Sequence, residues 1–146
     1  MKRILFLCHG NICRSAASEA IFLYLLKQSG RANEFEVDSA AISYEEIGNP
    51  MYPPMRRELE SRGIPIPPHR ARKVTMKDVR YFDEIFYMDR SNERLLSYEG
   101  LLQPNVKNIC IYSGSFSEIE DPWYTGRYGL VADQITACLK RYLGLE

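Results

Sequence analysis

Two charges and then four apolar residues open the chain: Lys2-Arg3-Ile4-Leu5-Phe6-Leu7. Apolar side chains at consecutive rather than alternating positions mark a strand covered on both faces, as in a parallel sheet. A polar stretch, Cys8 to Ser15, follows at once, with Gly10 and Asn11 available for unusual backbone angles. From Ser15 to Gln28 the apolar positions change period: Ala17, Ala20, Ile21, Tyr24 and Leu25 recur at helical spacing, and Gly30 fits the end of that helix. Phe35 to Ala41 reads as a second strand. Ile47 to Pro54 reads as a loop, Met55 to Arg62 as a short helix stopped by Gly63, and the proline-rich stretch Ile64 to Pro68 as an extended connector. Thr75 to Tyr81 reads as a short helix, Glu84 to Met88 as a third strand, and Ser91 to Tyr98 as a helix. Val106 to Tyr112 reads as a fourth strand, a long loop with Asp121-Pro122 follows, and Gly129 to Leu143 reads as the last helix.

The order is therefore β-α-β-α-β-α-β-α. That alternation predicts an α/β fold: a four-stranded parallel sheet flanked by helices on both faces. At 146 residues, with no repeat or linker, a single domain over 1–146 is expected. Nineteen basic residues balance nineteen acidic ones, so no overall field draws the protein to nucleic acid or an anionic membrane. The apolar run after Lys2-Arg3 is too short for a signal peptide and nothing approaches transmembrane length, so a cytoplasmic location is expected. The four cysteines (Cys8, Cys13, Cys110, Cys138) are too few and too irregular for a disulfide scaffold and include no C-x-x-C pair for zinc.

The first strand-to-helix junction carries the chemistry. In open α/β sheets ligands sit beyond the carboxyl ends of the strands, and there the chain reads Cys8-His9-Gly10-Asn11-Ile12-Cys13-Arg14-Ser15. Inward-pointing amides of such a loop form an anion nest, the helix N-terminus adds partial positive charge, and Arg14 offers a planar fork that matches two phosphate oxygens. The same field favours thiolate over thiol at Cys8, and Ser15 can donate to the sulfur. A thiolate in a phosphate cradle is a nucleophile aimed at phosphorus. The bland alternative is a strand-end cysteine near an ordinary helix-opening arginine, and the agreement of strand, loop and helix weighs against it. Displacement at a phosphate ester also needs an acid for the leaving group. Asp121, in Asp121-Pro122-Trp123-Tyr124, follows the fourth strand and reads either as that acid or as a plain turn aspartate, with Trp123, Tyr124 and Tyr128 available to wall a pocket.

Phe6 to Ser15 together with Asp121-Pro122-Trp123-Tyr124 resembles the low-molecular-weight protein tyrosine phosphatase family, nearly end to end. Val37 to Ala40, His69 to Arg72 and Met88 to Asn92 fit as well. The resemblance implies a flavodoxin-like fold of the phosphotyrosine protein phosphatase I type. It implies phosphotyrosine-containing protein substrates, phosphate or other oxyanions as product or inhibitor, and no metal or cofactor. The implied mechanism forms a phosphocysteine on Cys8, with Arg14 and the loop amides holding phosphate and Asp121 as acid and then base. It further implies that Asn11, Ser15, Ser39 and His69 brace the loop, that Asp89 is structural near the site, and that Cys13 pairs reversibly with Cys8 under oxidation. From the residues alone, His69 reads as a surface or core histidine and Ser39 as a strand end. The sequence departs from the family pattern at His9, Ala16 and Glu45. Glu45 falls about where many members carry an aromatic, so the substrate rim is expected to comprise Tyr44, Glu45, Trp123 and Tyr124.

Other readings fit less well. Arsenate reductases share the loop but need two further cysteines in a mobile segment, and Met88 to Tyr98 has none; Cys110 and Cys138 read as buried. Protein arginine phosphatases carry threonine where Ile12 stands, so Ile12 favours phosphotyrosine. A non-catalytic phosphopeptide module has no need of both Cys8 and Asp121, and a flavin carrier would lack Arg14.

Overall fold

The computed structural model describes residues 1–145. Its strands are β1 (Lys2–Cys8), β2 (Phe35–Ala41), β3 (Glu84–Tyr87) and β4 (Val106–Asn108), and its helices are α1 (Arg14–Gln28), α2 (Pro53–Ser61), α3 (Met76–Tyr81), α4 (Arg90–Tyr98), α5 (Pro122–Thr125) and α6 (Tyr128–Leu143). The strands form one parallel sheet in the order β2-β1-β3-β4. The four-stranded parallel sheet expected from the sequence is the fold observed.

The unbroken apolar run of β1 has the cause its pattern implied. Ile4 and Phe6 enter one core cluster, with Ala17, Ile21, Phe22, Leu25 and Leu26 of α1 and with Val131, Ile135 and Leu139 of α6. Leu5 and Leu7 enter the other, with Val79 of α3 and Leu96 of α4. Right-handed crossovers account for the split. The sheet grows from β1 to β2 in one direction and from β3 to β4 in the other, so α1 and α4 land on opposite faces. Phe6 packs edge-on against Phe22 at 5.6 Å and stacks with Phe86 at 6.1 Å, and burying each such ring stabilises by about 1.5–3 kcal/mol.

Several boundaries differ from the sequence reading. Pro53 and Pro54, read as loop, open α2, because proline's fixed φ and missing N–H suit the first helical turn. Pro122 does the same for α5, a turn of helix inside the segment read as loop. The fourth strand is the larger correction: it ends at Asn108, and Ile109–Tyr112 is a 3-10 turn. The Asn108 side chain accepts from the N–H of Cys110 at 2.8 Å and caps that turn. Cys110 thus lies in a 3-10 turn rather than a strand, though it is buried as expected, as is Cys138.

The order β2-β1-β3 positions the site. The chain leaves β1 to one side for β2 and later returns to the other side for β3, which opens a crevice at their carboxyl ends. Cys8 ends β1 at that crevice, and Asp89 follows β3 there.

Candidate active site

Cys8 is buried at the end of β1, and the loop after it is tied down from outside. Its carbonyls are taken up one after another: Cys8 O by the N–H of Ile42 (3.0 Å), His9 O by Ser43 (2.9 Å) and Ile12 O by Tyr52 (2.8 Å). The Asn11 carbonyl lies 2.6 Å from His69 Nε2, and since a carbonyl only accepts, that ring nitrogen carries the proton. With the carbonyls turned outward, the N–H groups of residues 9–13 have no acceptor among the described residues. Those of Arg14 and Ser15 are unpaired first-turn donors of α1. This is the geometry of an anion nest.

Asn11 makes the turn possible. It is fully buried and has φ of 61°, a left-handed conformation that asparagine tolerates better than most residues. Its Oδ1 accepts from the backbone N–H of Arg72 at 3.2 Å, and its Nδ2 donates to Ser15 Oγ at 2.8 Å. The Ser15 hydroxyl proton is left to point at Cys8 Sγ, 3.1 Å away.

Arg14 is nearly inaccessible, its side chain 3% exposed. Nη1 donates to Asp89 Oδ2 at 2.8 Å and to the Ile119 carbonyl at 2.9 Å. Burial works against its charge, but the negative character of Cys8, Asp89 and Asp121 outweighs burial and holds the guanidinium above its ordinary pKa. Asp89 is itself fixed as the N-cap of α4, accepting from Asn92 N–H at 2.8 Å. Asp121 N-caps α5, accepting from Trp123 N–H at 3.1 Å, and its other oxygen lies 3.5 Å from Arg14 Nη2. Its side chain is partly exposed, over the loop rather than within the core. Cys13 is buried at the start of α1, and burial, then the neighbouring Cys8 and Asp121, push its thiol well up.

Ser39 does not touch the loop. Its hydroxyl donates to Glu19 Oε1 at 2.6 Å, and Glu19 faces His69 Nδ1 at 4.0 Å, so Ser39 reaches the loop through two intermediaries. Sequence reasoning missed Glu19. It sits on α1 among small residues, Ser15-Ala16-Ala17-Ser18, all buried, because α1 is covered by the sheet on one side and by α2 and α6 on the other. Burial raises its carboxyl to about 7, opposed by the Ser39 hydrogen bond. The signal available was that run of small side chains, which permits close packing all round.

Tyr52 is the second omission. Its ring lies 5.4 Å from Trp123 and 6.3 Å from Tyr128, so it backs the aromatic side of the mouth. Tyr124, next to Trp123 in sequence, stands 84% exposed. Glu45 faces the mouth from the other side, hydrogen-bonded to His9 Nε2 at 3.1 Å. Tyr44 instead lies under Lys73, whose Nζ is 5.2 Å from the ring centroid.

The fold and this site together define a doubly wound α/β protein with an anion cradle built around a cysteine. A family model described as low molecular weight phosphotyrosine protein phosphatase matches residues 3–144. The chain is 37% identical to the low molecular weight phosphotyrosine protein phosphatase of Homo sapiens, over 97% of this chain and 94% of that one. The crystal structure of YfkJ from Bacillus subtilis matches with a TM-score of 0.92 at 34% identity, covering 99% of this chain and 93% of that one. A structure described as DARP, Drosophila arginine phosphatase, matches with a TM-score of 0.87 at 29% identity, covering 99% and 96%. The chain belongs to the low molecular weight phosphotyrosine protein phosphatase family.

Proposed function

We propose that the protein hydrolyses phosphotyrosine in proteins, and small aryl phosphates, through a phosphocysteine on Cys8. The observation that carries this reading is the cradle: outward-turned carbonyls and unpaired amides of residues 9–13, with the Arg14 fork beside Cys8. A phosphoryl dianion seated there meets the amides and the guanidinium, and the Cys8 thiolate, hydrogen-bonded by Ser15, attacks phosphorus. The sulfur–phosphorus bond forms as the phosphorus–oxygen bond breaks, and Asp121 gives its proton to the departing phenolate. Asp121, now a carboxylate, takes a proton from water; the water oxygen attacks phosphorus, the sulfur–phosphorus bond breaks, and phosphate leaves. Arg14 stabilises charge on the equatorial oxygens in both steps, held to its task by Asp89 and the Ile119 carbonyl.

Phosphotyrosine is favoured over phosphoarginine by Ile12, a buried branched apolar residue with no hydroxyl for a guanidinium. The aromatic side formed by Tyr52, Trp123 and Tyr128 suits an aryl ring. In this reading, when a peroxide oxidises the Cys8 thiolate to a sulfenic acid, the buried Cys13 beside it condenses with that acid to form a disulfide and release water. A cytoplasmic setting fits, and no helix of the described residues is long and apolar enough to cross a membrane.

The test compares phosphotyrosine, phosphoarginine and arsenate as substrates of one preparation. Turnover of phosphotyrosine above the other two is expected, and preference for either of the others overturns the substrate assignment. Cys8→Ser should lose p-nitrophenyl phosphate hydrolysis by at least about a thousandfold while still binding phosphate; full activity in that variant overturns the nucleophile.

A further inference from the structure

The two sides of the cradle mouth are chemically unlike. One is the aromatic side of Tyr52, Trp123 and Tyr128. The other is the segment 42–46, fastened along the loop by the bonds from Ile42 N–H to Cys8 O and from Ser43 N–H to His9 O. Glu46 of that segment packs over Gly10, where an added Cβ would come within 3.3 Å of Glu46 Cγ. Its carboxylate is occupied by Asn49 Nδ2 at 2.6 Å. Glu45 is different. Its side chain is 70% exposed, and His9 Nε2 holds Oε2 at 3.1 Å, one residue from Cys8. Its other oxygen has no partner among the described residues. Neither cation of this edge bonds Glu45: Lys73 pairs with Glu99 at 2.6 Å, and Arg70 donates to the Gly48 carbonyl at 3.1 Å.

A phosphotyrosine peptide crossing the mouth, with its phosphate in the cradle and its ring against the aromatic side, therefore brings one flanking residue against Glu45. We propose that Glu45, positioned by His9, selects phosphotyrosine flanked by a cationic side chain, lysine or arginine. This rests on the phosphotyrosine phosphatase reading above. An anionic flanking residue meets the same carboxylate as repulsion, so selection comes from both signs. Charge pairs this exposed are modest and screened by salt, so discrimination of roughly three- to tenfold in kcat/KM is expected.

The experiment uses phosphotyrosine hexapeptides identical except for arginine or glutamate immediately before or after the phosphotyrosine, with p-nitrophenyl phosphate alongside. At one of the two positions arginine should beat glutamate by roughly three- to tenfold at low ionic strength, shrinking to less than about twofold at ~0.5 M salt. The preference should vanish in Glu45→Gln and reverse in Glu45→Lys. Equal turnover of all four peptides, or a preference that survives Glu45→Gln, overturns the inference. If the wild-type protein treats the peptides alike yet hydrolyses p-nitrophenyl phosphate, charge selection fails and the phosphatase reading stands. If it hydrolyses neither, the reading beneath it fails too.

Discussion

The cradle and its mouth follow opposite rules. Asn11, Arg14 and Ser15 are buried; Asn11 and Arg14 are held by partners from distant parts of the chain, as far as the 105 residues separating Arg14 from Ile119, and Asn11 in turn holds Ser15. Glu45, Trp123 and Tyr124 are exposed and His9 is half-buried, each with few fixed contacts. Chemistry at phosphorus needs donors held within fractions of an ångström, which only burial and multiple bonds supply. Choosing among substrates needs a surface that side chains of varied shape can meet. Changes in the cradle should therefore act on rate and on stability, and changes at the mouth on substrate preference.

That contrast is broken most readily at Asp121, which belongs to the cradle by its proposed role and to the mouth by exposure. Asp121→Ala should slow aryl phosphate turnover by roughly a hundred- to a thousandfold, more for poor leaving groups than for good ones. Equal losses across a leaving-group series would show that it is not the acid. Asn11→Ala leaves a left-handed backbone without its side-chain anchors and should cost about 1–3 kcal/mol by urea denaturation. It should also lower kcat, since Ser15 loses the bond that aims its proton.

Glu19 sharpens the comparison through pH. A carboxyl raised by burial to about 7 in the folded protein, from an ordinary 4.5, keeps its proton where the unfolded chain has lost it. Its effect on stability is absent below about pH 4.5, grows unfavourable as pH rises to about 7, and levels off above, by about 3 kcal/mol at most. Glu19→Gln should flatten that part of the curve, read as the urea midpoint of both proteins between pH 4.5 and 8; parallel curves would refute it. The smallest effect is expected at the mouth. Trp123→Ala should raise KM for aryl phosphates roughly two- to tenfold with kcat little changed, and a large fall in kcat would mean that the aromatic side aligns the substrate as well as receiving it.

The parts legible in the sequence are those governed by near neighbours. The run Ile4 to Leu7, the loop that follows and the helical period after Ser15 each express a rule spanning a few residues, and all three occur where expected. The stretch Ile109-Cys110-Ile111-Tyr112 shows where such rules end. Its apolar run suits a buried strand or a tight turn equally. The turn prevails because Asn108 caps it and because Ile109 and Cys110 find the core while Ile111 faces solvent.

By itself, then, the sequence determined the α/β alternation and the spacing of Cys8 to Arg14 across a strand-to-helix junction. Strand and helix periods and the six-residue step are properties of the local backbone. Only the tertiary structure decided that Ser39 bonds Glu19 rather than the loop, that Tyr52 joins Trp123, and that His9 meets Glu45 beside the mouth. Those pairings join residues 20, 71 and 36 positions apart. Their energies depend on burial and orientation, which exist only once the chain has closed on itself.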